Sequence, residues 1–371
     1  MLKQGSKVLV TGGAGFIGAH AARAVVASGG MVRILDDFST GKRERLVGMP
    51  RLDLIQGDVR NAATVQRAAK GADAILHLAS LPVGSDPGRA QQVNLGGTLN
   101  LLEAVRQLDK RERPRVVLCS SGSVYGKQSA FVLHEELLPR PGTTDAAMAL
   151  SIEHYGRIYR ELHGVHATCL RLFRCFGPEE EADRSDASVV ARFVRAALDG
   201  NSPAIFGDGQ QTRDLIYVDN VVSALRAALN AEPDIYNIAS GEAVQINFLW
   251  TLVLELTGKR RRAIEPTYVP APSWEPSHAR PQIARACKAL GWAPSVRLRE
   301  GLARTVQHYQ SLRNGDPNAW FAPRDNLPQP RLVTPPAPPD DIEVADEDLM
   351  IEEKELDIEW APVPAVPGFG R

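Results

Sequence analysis

The residues most suited to chemistry begin with a glycine-rich turn. Thr11-Gly12-Gly13-Ala14-Gly15-Phe16-Ile17-Gly18 separates an apolar run, Lys7 to Thr11, from a stretch rich in alanine and valine, Ala19 to Ala27. A turn of glycines lets the backbone approach a pyrophosphate, whose charge then rests on the free N–H groups of the following helix start. Asp36 ends the next apolar run, about 20 residues on, where an acid can accept from adenosine ribose hydroxyls. The same acid repels a 2′-phosphate, which favours NAD over NADP as cofactor. Asp58, in Gly57-Asp58-Val59, stands where it can meet the adenine edge, or else cap the helix starting at Asn61.

Positioning such groups requires a sheet. Short β-branched or apolar runs at 7–11, 32–36, 53–57, 74–80, 115–121 and 167–173 alternate with amphipathic stretches of helical length. That rhythm predicts βαβ units and a parallel sheet buried on both faces. The expected fold class is α/β, a Rossmann-type doubly wound parallel sheet with a smaller C-terminal substrate lobe. Residues 1–175 form the cofactor domain, with later segments returning to it, and 176–312 form the lobe covering the carboxyl edge of the sheet, where ligands of such sheets bind. Residues 313–371 turn to proline and acid, from Pro335-Pro336-Ala337-Pro338-Pro339 to Glu359. Such a composition cannot bury enough apolar surface to offset its ordering entropy, so a disordered tail is expected. Its role is either to solubilise or, through Leu349, Met350, Ile351, Leu356, Ile358 and Trp360, to dock a protein partner.

Bulk composition narrows the class. With 371 residues, 44% hydrophobic and 23% charged, the chain is an ordinary globular protein that needs no disulfides. Cys119, Cys169, Cys175 and Cys287 lack the paired spacing of a zinc site and read as buried thiols. No signal peptide precedes the first strand, and no apolar run approaches the roughly 18 residues of a membrane span. A cytoplasmic protein without nucleic-acid or membrane partners is expected. From Arg331 to Arg371 eleven acidic and three basic residues sum to −8, so the remainder carries +7 of the total of −1. A mildly basic body suits an anionic ligand such as a nucleotide.

Taken together, TGGAGFIG (11–18), LDDFSTG (35–41), GDVRN (57–61), HLAS (77–80), VNLGGTLNLLEA (93–104), SSGSVYG (120–126), LRLFRCFGP (170–178), GDGQQTRDLIYVDN (207–220) and LGW (290–292) resemble one family. It is the extended short-chain dehydrogenases that act as NAD-dependent nucleotide-sugar epimerases and dehydratases, of the UDP-glucose 4-epimerase type. The similarity runs from about Lys7 to Tyr309. It implies that Gly12, Gly15, Phe16, Ile17, Gly18, Asp36, Asp37, Asp58, Val59, Leu78, Ala79 and Asn94 meet the cofactor. The implied chemistry is transient oxidation of a sugar hydroxyl by NAD. A tyrosine takes the hydroxyl proton, a lysine four residues later tunes that tyrosine and holds the nicotinamide ribose, and a Ser or Thr, here Ser121, completes the hydrogen-bond path.

The Tyr-x-x-x-Lys positions depart from the family. Pro141 on one side and Glu153-His154-Tyr155 on the other set the register, and the pattern reads Asp145-Ala146-Ala147-Met148-Ala149. Asp145 is a weaker and shorter base than a phenol, and its alternative role is to cap the helix Ala146 to Leu162. Tyr125 and His154 are the other candidate bases, while Tyr155 and Tyr159 lack a following lysine and read as core or surface residues. Arg174 stands where the family has a sugar-nucleotide-binding asparagine. Arg213 is retained as a diphosphate clamp, or else pairs with Asp214 or Asp219. A second clamp arginine is lost near Pro272. The resemblance also implies a homodimer through stretches 89–108 and 145–163. Two functions fit: an epimerase or dehydratase with an unconventional base, and a protein that holds NAD and a nucleotide sugar without turning them over.

Overall fold

A computed structural model describes residues 4–128, 130–184, 186–259, 264–271, 278 and 280–315. All belong to the first of the chain's two units, Met1–Val333. The acidic tail and Pro272 lie outside the described residues.

Seven parallel strands form the central sheet: β1 (Lys7–Thr11), β2 (Met31–Asp36), β3 (Leu52–Gln56), β4 (Ala74–His77), β5 (Arg115–Ser121), β6 (Ala167–Leu172) and β7 (Ile235–Ile238). Their order is β3-β2-β1-β4-β5-β6-β7. Consecutive residues are buried along the inner strands, with Val8, Leu9 and Val10 all at 0% exposure, as expected of strands covered on both faces. Each such side chain contributes on the order of 2 kcal/mol. The chain turns outward in both directions from β1 and β4, which makes their carboxyl ends the switch point where open α/β sheets take ligands.

The helices fit the sheet for local reasons. α1 (Phe16–Ala27) buries Ala19, Ala21, Ala22 and Ala24, small side chains that let it lie close to the strands. α2 (Ala62–Ala69) starts at Asn61, whose side chain accepts from the Thr64 N–H, so Asn61 and not Asp58 is its cap. α3 (Gly97–Arg106) and α4 (Thr144–His163) pack against each other. Gly164 ends α4 in a left-handed conformation.

Part of 176–312 returns to the sheet. β7 comes from within that range and completes the sheet beside β6. Its helices α5 (Val189–Asp199), α6 (Val218–Ala228), α7 (Ile246–Leu256) and α8 (Leu298–Arg313) share one apolar cluster with β1 and β2, running from Val8 to Trp250 and Tyr309. Of the four thiols only Cys169 is fully buried; the others are half-buried, and all four are free.

Candidate functional site

The glycine turn leaves β1 and closes on the end of β4. Gly12 has φ +66, and a Cβ there would lie 2.7 Å from the Ala79 backbone. A Cβ at Gly18 would come within 2.1 Å of the Gly12 carbonyl oxygen. Gly15 precedes α1 and donates its N–H to Gly12 O at 3.0 Å. α1 has neither a side-chain cap nor an acid in its first turn, so its leading N–H groups and positive dipole end are kept for an anion. Gly15, Phe16 and Ile17 stay half-buried around this start. The residues fit a dinucleotide's pyrophosphate on the shape of the cradle and on its charge.

Asp36 lies at the end of β2, beside the turn. Its carboxylate accepts from the N–H groups of Ala14 and Phe38, both at 2.8 Å. Burial pushes its pKa up, and those two donors oppose the shift. Asp37 is exposed and accepts from the N–H and hydroxyl of Ser39. The Arg60 side chain forks onto Asp58 and lowers its pKa, while Val59 is buried beneath α3 against Gly97. Leu78 and Ala79 donate their N–H groups to the Thr11 hydroxyl, each at 3.2 Å. Asn94 sits on a π-helical turn, Gln91–Gly96, and accepts from the Leu81 N–H at 2.8 Å; such turns recur at functional sites. The switch point thus gathers the glycine turn, Asp36 and residues 78–79, while Asp58 and Asn94 stand on neighbouring loops and helices.

His77 holds this edge together from inside. Its Nδ1 is 2.7 Å from the Thr11 hydroxyl and its Nε2 is 3.1 Å from that of Thr98. Burial pushes its pKa down to about 4, so the ring is neutral. A folded pKa below the ordinary 6.5 contributes stability that is complete above pH 6.5 and lost as pH falls toward 4, at most about 3 kcal/mol. Urea midpoints should accordingly fall between pH 7 and 4.5 more steeply for the native protein than for His77→Gln. Equal slopes would remove His77 as the source.

Ser121 ends β5 half-buried, its Oγ accepting from the Ser123 N–H at 3.1 Å. Asp145 falls in the first turn of α4 and accepts from the Gly84 N–H at 3.3 Å. It does not cap the helix: Thr143 does, accepting from the Ala146 N–H. Ala149, one turn on, is buried against Val124, Tyr125 and Leu133. His154 faces outward from α4. Tyr159 is buried and donates to Glu103.

Tyr125 is not a free phenol. It has 0% exposure, donates to Asn237 Oδ1 at 2.8 Å and accepts from Arg171 Nη1 at 2.8 Å. Burial raises its pKa further, and a buried hydroxyl with both roles filled is a poor proton acceptor. It belongs to a network that sequence reasoning missed. Arg171 forks onto Glu153 at 2.8 Å through each of two nitrogens, and Ser120 donates to the same carboxylate at 2.6 Å. This buried pair anchors α4 to β6, and through Ser120 to β5. A charge inside the apolar run ATCLRL is the signal that points to such a partner, since a buried charge must be paired.

Arg174 lies exposed on the strand Arg174–Phe176, which pairs in parallel with Leu215–Tyr217. Arg213 is buried and donates to the Thr212 carbonyl at 2.7 Å. Asp214 is held by the turn 240–242, accepting from the N–H groups of Ser240, Gly241 and Glu242. Arg213 lies on the short strand Thr212–Arg213, just before the Leu215–Tyr217 strand that pairs with Arg174–Phe176.

The model of the NAD dependent epimerase/dehydratase family matches residues 8–239. The chain is 33% identical over 316 residues to a UDP-glucose 4-epimerase of Mycolicibacterium smegmatis, covering 82% of this chain and 99% of the relative. It superposes on the Thermotoga maritima UDP-glucose 4-epimerase, solved with UDP-glucose, with a TM-score of 0.76 at 30% identity, covering 83% and 99% of the two chains. A Bacillus cereus UDP-glucuronic acid 4-epimerase, solved with UDP-glucuronic acid and NAD, gives 0.75 at 27% identity, covering 82% and 99%. Among the described residues no helix is long and apolar enough to cross a membrane.

Proposed function

The chain belongs to the NAD-dependent epimerase/dehydratase family, and from that premise we propose that it binds NAD at the switch point and acts on a nucleotide sugar. The observation that carries the reading is the turn of Gly12, Gly15 and Gly18, closed on Ala79 with Asp36 at its side. Bound NAD supplies reversible acceptance of a hydride from a sugar hydroxyl carbon. The chain's own residues do the rest. The α1 N-terminus holds pyrophosphate, Asp36 accepts from ribose hydroxyls, and Arg213 and Arg174 hold the sugar nucleotide's diphosphate. Ser121 hydrogen-bonds the reacting hydroxyl, and Asp145 takes its proton. A second copy packs through α3 and α4, whose outer residues include Leu162 at 73% exposure.

The experiment is a spectrum and mass analysis of purified protein for retained NAD, before and after adding UDP- and dTDP-sugars, glucose and glucuronate included. Absorbance growing near roughly 340 nm, or conversion of any sugar, supports the reading. Bound NAD without reduction or conversion supports holding without turnover, the reading favoured by Ala149, a methyl at the position the family gives to lysine.

Asp145→Asn separates the two. As the base, its loss should lower turnover by about 10² or more with NAD still bound. Unchanged turnover would exclude Asp145. Thr143 is the cap, so the substitution should leave helix stability within about 0.5 kcal/mol.

A further inference from the structure

The glycine turn is tied to a distant segment by buried charges that the proposed chemistry does not use. Ala14, at the centre of the turn, has both ends of its backbone engaged. Its N–H donates to Asp36 at 2.8 Å, while its carbonyl accepts from the Lys42 N–H at 2.9 Å and from Arg45 Nη1 at 3.1 Å. Arg45 is 3% exposed. Through Nη2 it also donates to the Glu179 carbonyl at 2.7 Å and to Glu181 Oε1 at 3.0 Å. The Lys42 ammonium lies 3.1 Å from Glu181 Oε2. Arg23, on α1, donates through Nη2 to both Glu179 carboxylate oxygens, at 2.7 and 2.8 Å, and through Nη1 to the Arg45 carbonyl at 3.0 Å. His20, also on α1, places Nε2 3.1 Å from the Pro178 carbonyl.

Glu179 itself has φ +69, a conformation that a side-chain-bearing residue holds only when its surroundings enforce it. Here Arg23 and Arg45 do so, gripping its carboxylate and its carbonyl. The segment crosses from the far part of the chain, more than 130 residues from Ala14 and Arg45, so nothing local requires the contact.

We propose that Pro178–Glu181 is a strap that acts through Arg45 and Lys42 on Ala14, holds the glycine turn in its cofactor-binding form, and so sets how fast NAD leaves. This rests on the NAD reading above. A turn already ordered in the free protein need not be ordered on binding, which slows release and raises affinity. Such a grip matters in this chain because Ala149 offers no ammonium to the nicotinamide ribose. Arg45 is thus a positioning residue that acts through Ala14.

The test measures NAD release from loaded full-length protein by dilution into competitor, together with the melting temperature without cofactor. Arg45→Met should release NAD at least tenfold faster. Glu181→Gln, at a half-buried and milder site, should release it severalfold faster even where Arg45→Met folds poorly. Trp292→Phe serves as the comparison, since Trp292 donates to Asn220 and Ser223 on α6 and makes none of the strap's contacts. It should lower the melting temperature with release unchanged. Release within twofold of native in Arg45→Met and Glu181→Gln overturns the strap while NAD binding stands. Failure of the native protein to take up NAD overturns the cofactor reading and the strap with it.

Discussion

Asp145→Tyr combined with Ala149→Lys is expected to raise nucleotide-sugar turnover by about 10² to 10⁴, the usual worth of a well-placed general base. The two positions lie one helical turn apart on α4, in line with Glu153 a further turn along. Glu153 is buried against Arg171 and Ser120, so this stripe faces β5. The Ala149 carbonyl accepts from the Ser120 hydroxyl at 3.4 Å, which puts the stripe beside the strand that ends in Ser121. A tyrosine at the head of it brings a phenol toward the hydroxyl that Ser121 binds, and a lysine one turn below lowers that phenol's pKa. Either substitution alone should give much less, because the phenol is a poor base without the cation. The lysine must extend past Val124, Tyr125 and Leu133, so melting temperature and retained NAD are measured alongside the rate. A folded, NAD-loaded double variant with no gain on any sugar would mean that positions 145 and 149 do not address the reacting hydroxyl.

Gly18→Ala should lower NAD affinity by about 100-fold or more, equivalent to about 2.7 kcal/mol. Its new methyl would meet the Gly12 carbonyl oxygen at 2.1 Å and the Gly13 Cα at 2.9 Å. These neighbours are backbone, which cannot rotate away, so the turn must open by shifting α1 or its own loop. Either movement pulls the helix start away from the pyrophosphate it would hold. Stability should fall as well, by about 1–3 kcal/mol for the overpacking. Gly48→Ala provides the contrast. Gly48 has φ +72 but nothing within 4 Å of a Cβ, so it should cost only backbone strain and leave NAD affinity unchanged. Isothermal titration of both variants checks the pair; equal affinities would remove the glycine turn from the cofactor site.

Much of this was legible residue by residue. The strand rhythm, the glycine turn and Asp36 depend on side-chain period and turn geometry, which act over a few residues, and the strands appear within one or two residues of their expected bounds apart from 74–80, where β4 stops at His77. The expected departure at positions 145 and 149 rests likewise on residue identity and spacing alone. The capping of α4 was less legible, because Thr143 and Asp145 are both good caps and only the helix start at Thr144 separates them. Tyr125 looked like a candidate base from its place in SSGSVYG. Its fate was decided by Asn237, 112 residues away, and by Arg171.

Local pattern along the chain suffices for the strand rhythm of 7–173, the glycine turn and the acid that ends β2. Tertiary packing fixes which charges are buried together, Glu153 with Arg171 and Arg45 with the Glu179–Glu181 segment, and which later segment returns to the sheet, Ile235–Ile238. Periodicity and turn chemistry are enforced by neighbours along the chain. The pairing of a buried charge is enforced by whichever element packs over it, and that element can come from any distance in sequence.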